Sequence, residues 1–392
     1  MAGLAAILTI LTGLAVLIWC NRIMQLRRFK AEAFVIDDRA PGPPPSPPKI
    51  SVVVAAKDEE IYIENCLRTM LSQDYPNFEL IVCNDRSSDN TAAIIDRVAR
   101  GDDRVKVVTI TELPAGWCGK NNAMQQAIAQ ADGEWICMID ADCRQESSRT
   151  LSTTVQHAID GKIDLLSVLP TLDMLSFWDT VVQPVCTGTM MIWFNPMHVN
   201  DPHKPHAYAN GAFMLIRRSA YDAIGTHHAV RNRISEDMHI AALVKGSGLR
   251  LRVVPSDGLY RVRMYASLGQ AIQGWTRIFF GTFGTVSRLI ISWLAMFIVG
   301  SLPWFTLAGS LWALLAGGAS PWWSAAAGAS AAAVICQMIA LHFFYKQIQI
   351  HPAMSLLYPV GNLIGLYILL VALSKHLPSN QVIWRNTSYA RP

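Results

Sequence analysis

The sequence predicts an α/β domain with a mostly parallel sheet, tied to a membrane by apolar helices at both ends. Three observations lead there. Short β-branched runs alternate with helically spaced segments between residues 50 and 255, the pattern of strand–helix–strand units. Aspartates stand where several of those runs end, and ligands of open parallel sheets bind along that edge. The chain of 392 residues is 52% hydrophobic and only 16% charged, with a mean hydropathy of +0.26. That is too apolar for an ordinary soluble protein, and the excess sits at the two ends.

Residues 3–19, GLAAILTILTGLAVLIW, carry no charge and are just long enough to cross a bilayer. Arg22, Arg27, Arg28 and Lys30 follow the run and nothing basic precedes it, the reverse of a cleavable signal peptide. An uncleaved anchor over 1–22 is expected, its basic flank in the cytoplasm. Residues 23–49 are a basic and then proline-rich linker ending in PGPPPSPPK, which admits neither helix nor central strand.

Strands are expected over ISVVVAA (50–56), FELIVCND (78–85), VKVVTI (105–110) and EWICMIDAD (134–142). The first is a continuous apolar run, as for a strand covered on both faces. Helical spacing runs over 59–73 through Ile63, Cys66, Leu67, Met70 and Leu71. SSDNTAAIIDRVAR opens a second helix with Ser and Asp available as caps, and a third is expected over 121–131. Fainter strand patterns at 164–170, 211–218 and 249–255 complete a domain over 50–263.

Two segments, 177–196 and 264–284, are rich in aromatics and Met but broken by Pro and Gly. They suit helices lying on a bilayer surface, and 264–288 is assigned as an interfacial amphipathic stretch. From 289 to 373 the chain is again largely apolar, giving three spans at 289–316, 322–344 and 354–373. Pro303, mid-way along the first, kinks it or makes it partly re-entrant. Residues 374–392 form a tail. The net charge of +4 is modest and its basic residues cluster beside the spans, which fits a membrane surface and no nucleic-acid partner. The eight cysteines include no CxxC pair and are expected as free thiols.

Asp58, Asp85, Asp140 and Asp142 all lie where apolar strands end. A charge there is costly unless something offsets it. Two carboxylates at i and i+2 suit a hard divalent cation, Mg²⁺ or Mn²⁺, whose coordination phosphate oxygens would complete. The aspartates are then unpaired in sequence because a metal–diphosphate substrate brings the compensating charge.

VVAAKDEE, VCNDRSSDNTA, GKNNAMQQAIAQADGEWICMIDADC and NGAFMLIRRSAY…ISEDMHIAALV together resemble a membrane-bound family 2 glycosyltransferase with a GT-A fold, over roughly residues 50–290. Their order makes the set more specific than any one motif. LPAGWCGKNNA (113–123) is similar to the Gly-Trp-x-Gly-Lys segment of the lipid-modifying branch, which holds ceramide glucosyltransferases and hopanoid-associated and carotenoid glycosyltransferases. The resemblance implies a GT-A domain with one N-terminal and about three C-terminal transmembrane helices.

It also implies roles. Asp85 would accept a hydrogen bond from the nucleotide base, with Ala55 and Asp58 lining the base and ribose pocket. Lys120 would approach the nucleotide or diphosphate. Asp140 and Asp142 would form the Asp-x-Asp motif, Asp142 as the direct metal ligand. Asn210 and Gly211 would match the acceptor-site motif, and Asp237 the catalytic base beside Glu236. Such a base takes the proton of the attacking hydroxyl as the anomeric centre inverts. The implied donor is a nucleotide-sugar of the UDP class, the acceptor a lipid hydroxyl, and the location the cytoplasmic face of a membrane, the bacterial inner membrane for this branch.

Two departures stand out. AAKDEE has Asp58 where many relatives have Asn. QAIQGWTR (270–277) places Gln273, Trp275 and Arg277 in a different order from the Gln-x-x-Arg-Trp motif of many relatives. Trp275 and Arg277 would stack on the acceptor and bind diphosphate only by a loose carry-over. Two rival readings are a processive polysaccharide synthase, which calls for the full motif and a wider bundle, and a non-catalytic GT-A scaffold, which calls for loss of the base or of the metal pair. The tail NQVIWRNTSYARP (380–392) resembles the Trp-Arg-rich tail of the carotenoid and hopanoid group.

Overall fold

The computed structural model describes residues 2–317, 320–377, 382–384 and 387–389. They fall into two compact units. One gathers Phe34–Asp173 and Phe194–Met264 with the segment from Gln381; the other gathers Met1–Ala33, Met174–Trp193 and Tyr265–Asn380.

The first unit is built on β1 (Ile50–Ala56), β2 (Phe78–Asp85), β3 (Val105–Ile110), β4 (Trp135–Asp140), β6 (Leu165–Leu169), β8 (Phe213–Arg217) and β9 (Leu251–Pro255). They lie in the order β3-β2-β1-β4-β8-β6-β9. β1 pairs in parallel with β2 and β4, β2 with β3, and β6 with β9. Only β8 runs against its neighbours. A small second sheet joins β5 (Cys143–Gln145), β7 (Thr171–Leu172) and β10 (Tyr260–Val262). The first four strands begin and end close to where β-branched patterning places them.

Helices cover both faces. Val52, Val54, Leu80 and Val82 point to the side of α2 (Ile63–Leu71), α3 (Thr91–Ala99) and α5 (Thr150–Asp160), and are buried with Leu67, Met70, Ile95 and Val155. Val53 and Ile81 point the other way, against Met124 and Ile128 of α4 (Gly119–Ala129) and Ile240 and Val244 of α9 (Glu236–Gly246). Burial on both sides explains why β1 reads as an unbroken apolar run. Each such side chain contributes about 1.5–3 kcal/mol.

Residues 34–49 do not hang as a free spacer. Ile36 bridges Ser256, the Tyr75 hydroxyl donates to the Pro48 carbonyl at 2.7 Å, and Arg149 donates to the Gly42 carbonyl at 2.9 Å. Proline removes N–H donors but leaves carbonyls, and those carbonyls are what the domain grips.

In the helical unit, α1 spans Ala2–Glu32, ten residues beyond the expected end of the anchor. Residues 21–32 hold no Gly or Pro to stop a helix. Among the described residues, four helical segments are long and apolar enough to cross a membrane: α1, the continuous stretch Val286–Leu315, α13 (Pro321–Gln347) and Pro352–Ser374, which contains α14 (Tyr358–Ser374). Ala326, Ser330, Ala333, Gln337 and Ala340 form a buried seam on α13, its small residues letting α1 pack closely.

Pro303 neither breaks the second segment nor turns it back. α11 (Val286–Ala295) passes through a π-helical turn, Met296–Ser301, into α12 (Leu302–Leu315). Lacking an N–H, Pro303 cannot bond the Val299 carbonyl one turn earlier. The Trp19 indole donates to it instead, at 3.0 Å. Gln337 serves the Gly300 carbonyl at 3.0 Å, and Asn362 the Met296 carbonyl at 3.3 Å. Backbone groups freed inside an apolar bundle are thus satisfied by side chains.

The two aromatic-rich segments form α6 (Phe177–Trp193) and α10 (Leu268–Phe283). α6 buries Val181, Val182 and Val185 against α14, where a Cβ on Gly361 would lie 2.2 Å from the Val181 carbonyl oxygen. Only glycine permits that approach.

Candidate active site

The functional side chains gather along one edge of the seven-stranded sheet because of strand direction. β1, β2 and β4 end there, delivering Ala55, Asp85 and Asp140; Ala55 pairs with Cys83 on one side and Asp140 on the other. β8 is antiparallel to β4, with Phe213 opposite Ile139. Its start therefore lies where β4 ends, bringing Asn210 and Gly211 to the same edge. α4 and α9 add Lys120 and the Glu236-Asp237 pair from their first turns.

Lys120 is the hub. Its Nζ lies 2.7 Å from an oxygen of Asp140 and 2.7 Å from an oxygen of Glu236. Burial alone would lower its pKa, but the charges of Asp140 and Glu236 outweigh that and hold it well above the usual lysine range. The ammonium is therefore permanent and supplies the nearest compensation for Asp140.

Asp237 is held from two directions. The Gly211 N–H donates to Oδ2 at 3.0 Å and the Met238 N–H to Oδ1 at 2.8 Å. Burial and the neighbouring Glu236 charge nevertheless push its carboxyl up to about 7, against the opposing pull of Lys120 and the two backbone bonds. A Cβ on Gly211 would stand 3.3 Å from the Lys120 nitrogen and 3.4 Å from Asp237 Oδ2, so glycine lets the backbone close on both. Asn210 turns its own Oδ1 to the Ala212 N–H at 2.9 Å, and its N–H is taken by Ser167 Oγ at 2.8 Å.

Asp142 is within electrostatic reach of Asp140, Glu59 and Lys120. Its Oδ1 is buried without a hydrogen-bond partner. Burial, then the charges of Asp140 and Glu59, raise its carboxyl to about 8. An orphaned carboxylate oxygen facing two further carboxylates is what a divalent cation would satisfy. Among the described residues, no three His, Cys, Asp or Glu side chains form a self-sufficient metal cage. Two protein carboxylates with outside oxygens fit a hard cation better than a softer metal.

Asp85, Arg86, Lys57 and Asp58 are tied together across the ends of β1 and β2. Asp85, 3% exposed, accepts from Arg86 Nε at 2.7 Å and from a second guanidinium nitrogen at 3.1 Å. Lys57 donates to the Arg86 carbonyl at 2.9 Å. Asp58 sits at φ +53°, a conformation Asp tolerates better than most residues. Its Oδ1 takes the Ser88 N–H at 2.7 Å, linking the β1 loop to the β2 loop.

A family model described as "Glycosyl transferase family 2" matches residues 51–225, the stretch that carries Ala55, Asp85, Lys120, Asp140, Asn210 and Gly211 but not Glu236 or Asp237. Residues 51–225, somewhat less than half of the chain, thus match glycosyl transferase family 2. The chain is similar to the probable glycosyltransferase YdaM of Bacillus subtilis, 28% identical over 220 residues, 53% of this chain and 49% of that protein. It is 33% identical over 115 residues to the GalNAc(5)-diNAcBac-PP-undecaprenol beta-1,3-glucosyltransferase of Campylobacter jejuni, 29% of this chain and 36% of that one. It is 29% identical over 182 residues to the beta-monoglucosyldiacylglycerol synthase of Trichormus variabilis, 45% and 37% of the two chains. The chain thus spans about half or less of the length of these relatives. Its fold is that of the mannosyltransferase PcManGT from Pyrobaculum calidifontis, solved with GDP-Man and Mn²⁺: TM-score 0.56, 20% identity, covering 96% of this chain and 99% of that one. This is a GT-A fold.

Two expected site residues, Trp275 and Arg277, belong to the helical unit. Trp275 is 5% exposed and its indole donates to Gln183 at 2.7 Å within the helical unit. It is packed as a core residue and offers no open face for stacking, which corrects the loose motif match. Arg277, on the same helix, is half-buried in that unit. Glu236, expected beside the base, is spent on Lys120. Most of the 380–392 tail motif lies outside the described residues. Sequence reasoning missed three contributors. Glu59 adds its charge to Asp142. Arg86 neutralises Asp85. Tyr208, whose phenol is raised by burial and by Asp237, hydrogen-bonds Asn210. For Arg86 and Glu59 the signal was present, since each adjoins a named aspartate.

Proposed function

We propose that this family 2 chain is a membrane-bound, inverting, metal-dependent glycosyltransferase that moves one sugar from a nucleotide-sugar, of the UDP class, to a lipid hydroxyl on the cytoplasmic side. The observation that carries this reading is the juxtaposition at Gly211. One backbone turn touches both the carboxylate suited to be a base and the lysine suited to meet a diphosphate.

Asp237 would take the acceptor's proton, and its raised pKa suits a base working near neutral pH. Lys120 stands between two carboxylates and would be drawn onto the departing diphosphate, stabilising its charge. Asp140 and Asp142 would hold Mn²⁺ or Mg²⁺, which when bound supplies positive charge against that same diphosphate. Asp85 would receive the base once Arg86 releases it, with Ala55 and Asp58 flanking the pocket. Support for a lipid acceptor comes from the apolar helices and from relatives whose names specify diacylglycerol or undecaprenol products.

The test is transfer from radiolabelled nucleotide-sugars to a total lipid extract by the full chain in membranes, followed by mass spectrometry of the product. A single-sugar lipid made with Mn²⁺ and lost with Asp237→Asn is expected. Polymer without glycolipid, or undiminished transfer by the variant, would overturn the reading.

A further inference from the structure

The level at which the apolar helices meet decides how many of them cross a bilayer. Trp19 of α1 bonds the Val299 carbonyl, and Gln337 of α13 bonds that of Gly300. Cys20 and Cys336 approach to 3.8 Å. Residues 19–20, 299–300 and 336–337 therefore share one depth. From there to the free ends of α1, α12 and α13 is about 21–26 Å at ~1.5 Å per residue. That is most of a hydrocarbon core of about 30 Å. On the other side of the shared level lie Arg22, Arg27, Arg28 and Lys30 of α1, Arg288 of α11 and Lys346 of α13, marking the headgroup region.

α14 starts at this level and leaves it on the basic side. Its first turns hold Tyr358, whose ring meets Trp19 at 6.3 Å, and Asn362, bonded to Ser301 at 2.7 Å. Further along, Gly365 faces Met296 and Val185. Just past its end, the ring of His376 lies 4.7 Å from that of Phe280 on α10, the helix that precedes α11. A crossing α14 would run beside α12 and α13 towards Leu315 and Pro321. Its packing partners are instead α6, α10, α11 and the π turn. Val360, Leu363, Tyr367 and Leu370, spaced three, four and three apart, stay exposed on one face, as do Ile291 and Leu294 of α11.

We propose that only α1, the stretch continuing through α12, and α13 cross the bilayer, while α14 lies along the leaflet on the side where α1 ends. There its exposed stripe docks on the acyl chains of that one leaflet, as amphipathic interfacial helices do. The occupant is lipid, because the stripe continues the apolar belt of the crossing helices next to their basic flank. The chain therefore returns, at Leu377, to the side from which it left α1. An independent observation agrees: the hairpin of β11 (Val382–Trp384) and β12 (Thr387–Tyr389) groups with the α/β unit that the chain enters after α1.

The experiment fuses green fluorescent protein or alkaline phosphatase after Pro392 of the full chain in a bacterial inner membrane, and inserts the same reporters after Gly317. A fluorescent, phosphatase-silent C-terminus with a phosphatase-active insertion at 317 is expected. An active phosphatase after Pro392 would overturn the proposal. A second measurement uses Leu363→Lys, midway along the apolar segment. The membrane-inserted yield should stay within about two-fold, because a lysine at headgroup depth reaches water. A loss beyond ten-fold would place that residue in mid-bilayer and reject the in-plane assignment.

Discussion

Asp237→Asn removes the proposed proton acceptor while keeping nearly the same shape, so its rate and stability effects can be predicted together. An asparagine oxygen can serve the Gly211 or the Met238 N–H, now at 3.0 and 2.8 Å from the two carboxylate oxygens, but not both. One lost hydrogen bond costs about 1 kcal/mol. Against this, the wild-type carboxyl is raised from 3.8 to about 7. The folded chain thus keeps a proton that the unfolded chain releases between those values. The associated stability is present below pH ~3.8 and lost as pH rises through ~7. A difference of about 3 in pKa corresponds to roughly 4 kcal/mol, reduced to about 2 by solvent reaching a half-buried group. The variant should therefore be about 1 kcal/mol less stable than wild type near pH 4 and about 1 kcal/mol more stable above pH 7. Thermal unfolding in detergent across that range reads this directly. Sugar transfer should fall by about 10²–10⁴, and the wild-type rise in rate through pH ~7 should vanish. Transfer within ten-fold of wild type, or a Tm difference indifferent to pH, would refute the placement of Asp237 as a buried base.

Lys120→Ala leaves Asp140 and Glu236, each 2.7 Å from the ammonium, facing one another uncompensated; about 3 kcal/mol of stability should be lost, with the donor KM raised at least ten-fold in steady-state assays. Gly211→Ala sets a methyl 3.3 Å from Lys120 and 3.4 Å from Asp237, and kcat should drop about ten-fold while the unfolding midpoint moves by no more than ~1 kcal/mol. Chelation should abolish transfer and Mn²⁺ or Mg²⁺ restore it; Asp142→Ala, which removes the oxygen without a partner, should not be restored by either ion. Gly361→Ala drives a Cβ into the Val181 carbonyl and should cost about 1–3 kcal/mol in detergent melts, whereas exposed Leu363→Ala should not.

The strands, the apolar segments and the acidic strand ends were legible in the chain itself. Each rests on local periodicity: β1 reads as a strand because Val52, Val53 and Val54 are all buried, and α1 reads as an anchor because seventeen successive residues, 3–19, carry no charge. The direction of β8 was not legible. Antiparallel pairing with β4 brings Asn210 and Gly211 to the edge where Asp140 ends, and a strand's period is the same in either direction. Lys120 shows the same limit, since its partners Asp140 and Glu236 lie 20 and 116 positions away. Trp275 shows the converse, a motif-like spacing that packing claimed for the core. What the sequence alone determined is which residues carry charge and which must leave water, because those are properties of side chains in order. Which charges meet, and how the apolar helices pack on one another, were decided by tertiary contacts, because electrostatic pairing and helix packing depend on distances through space.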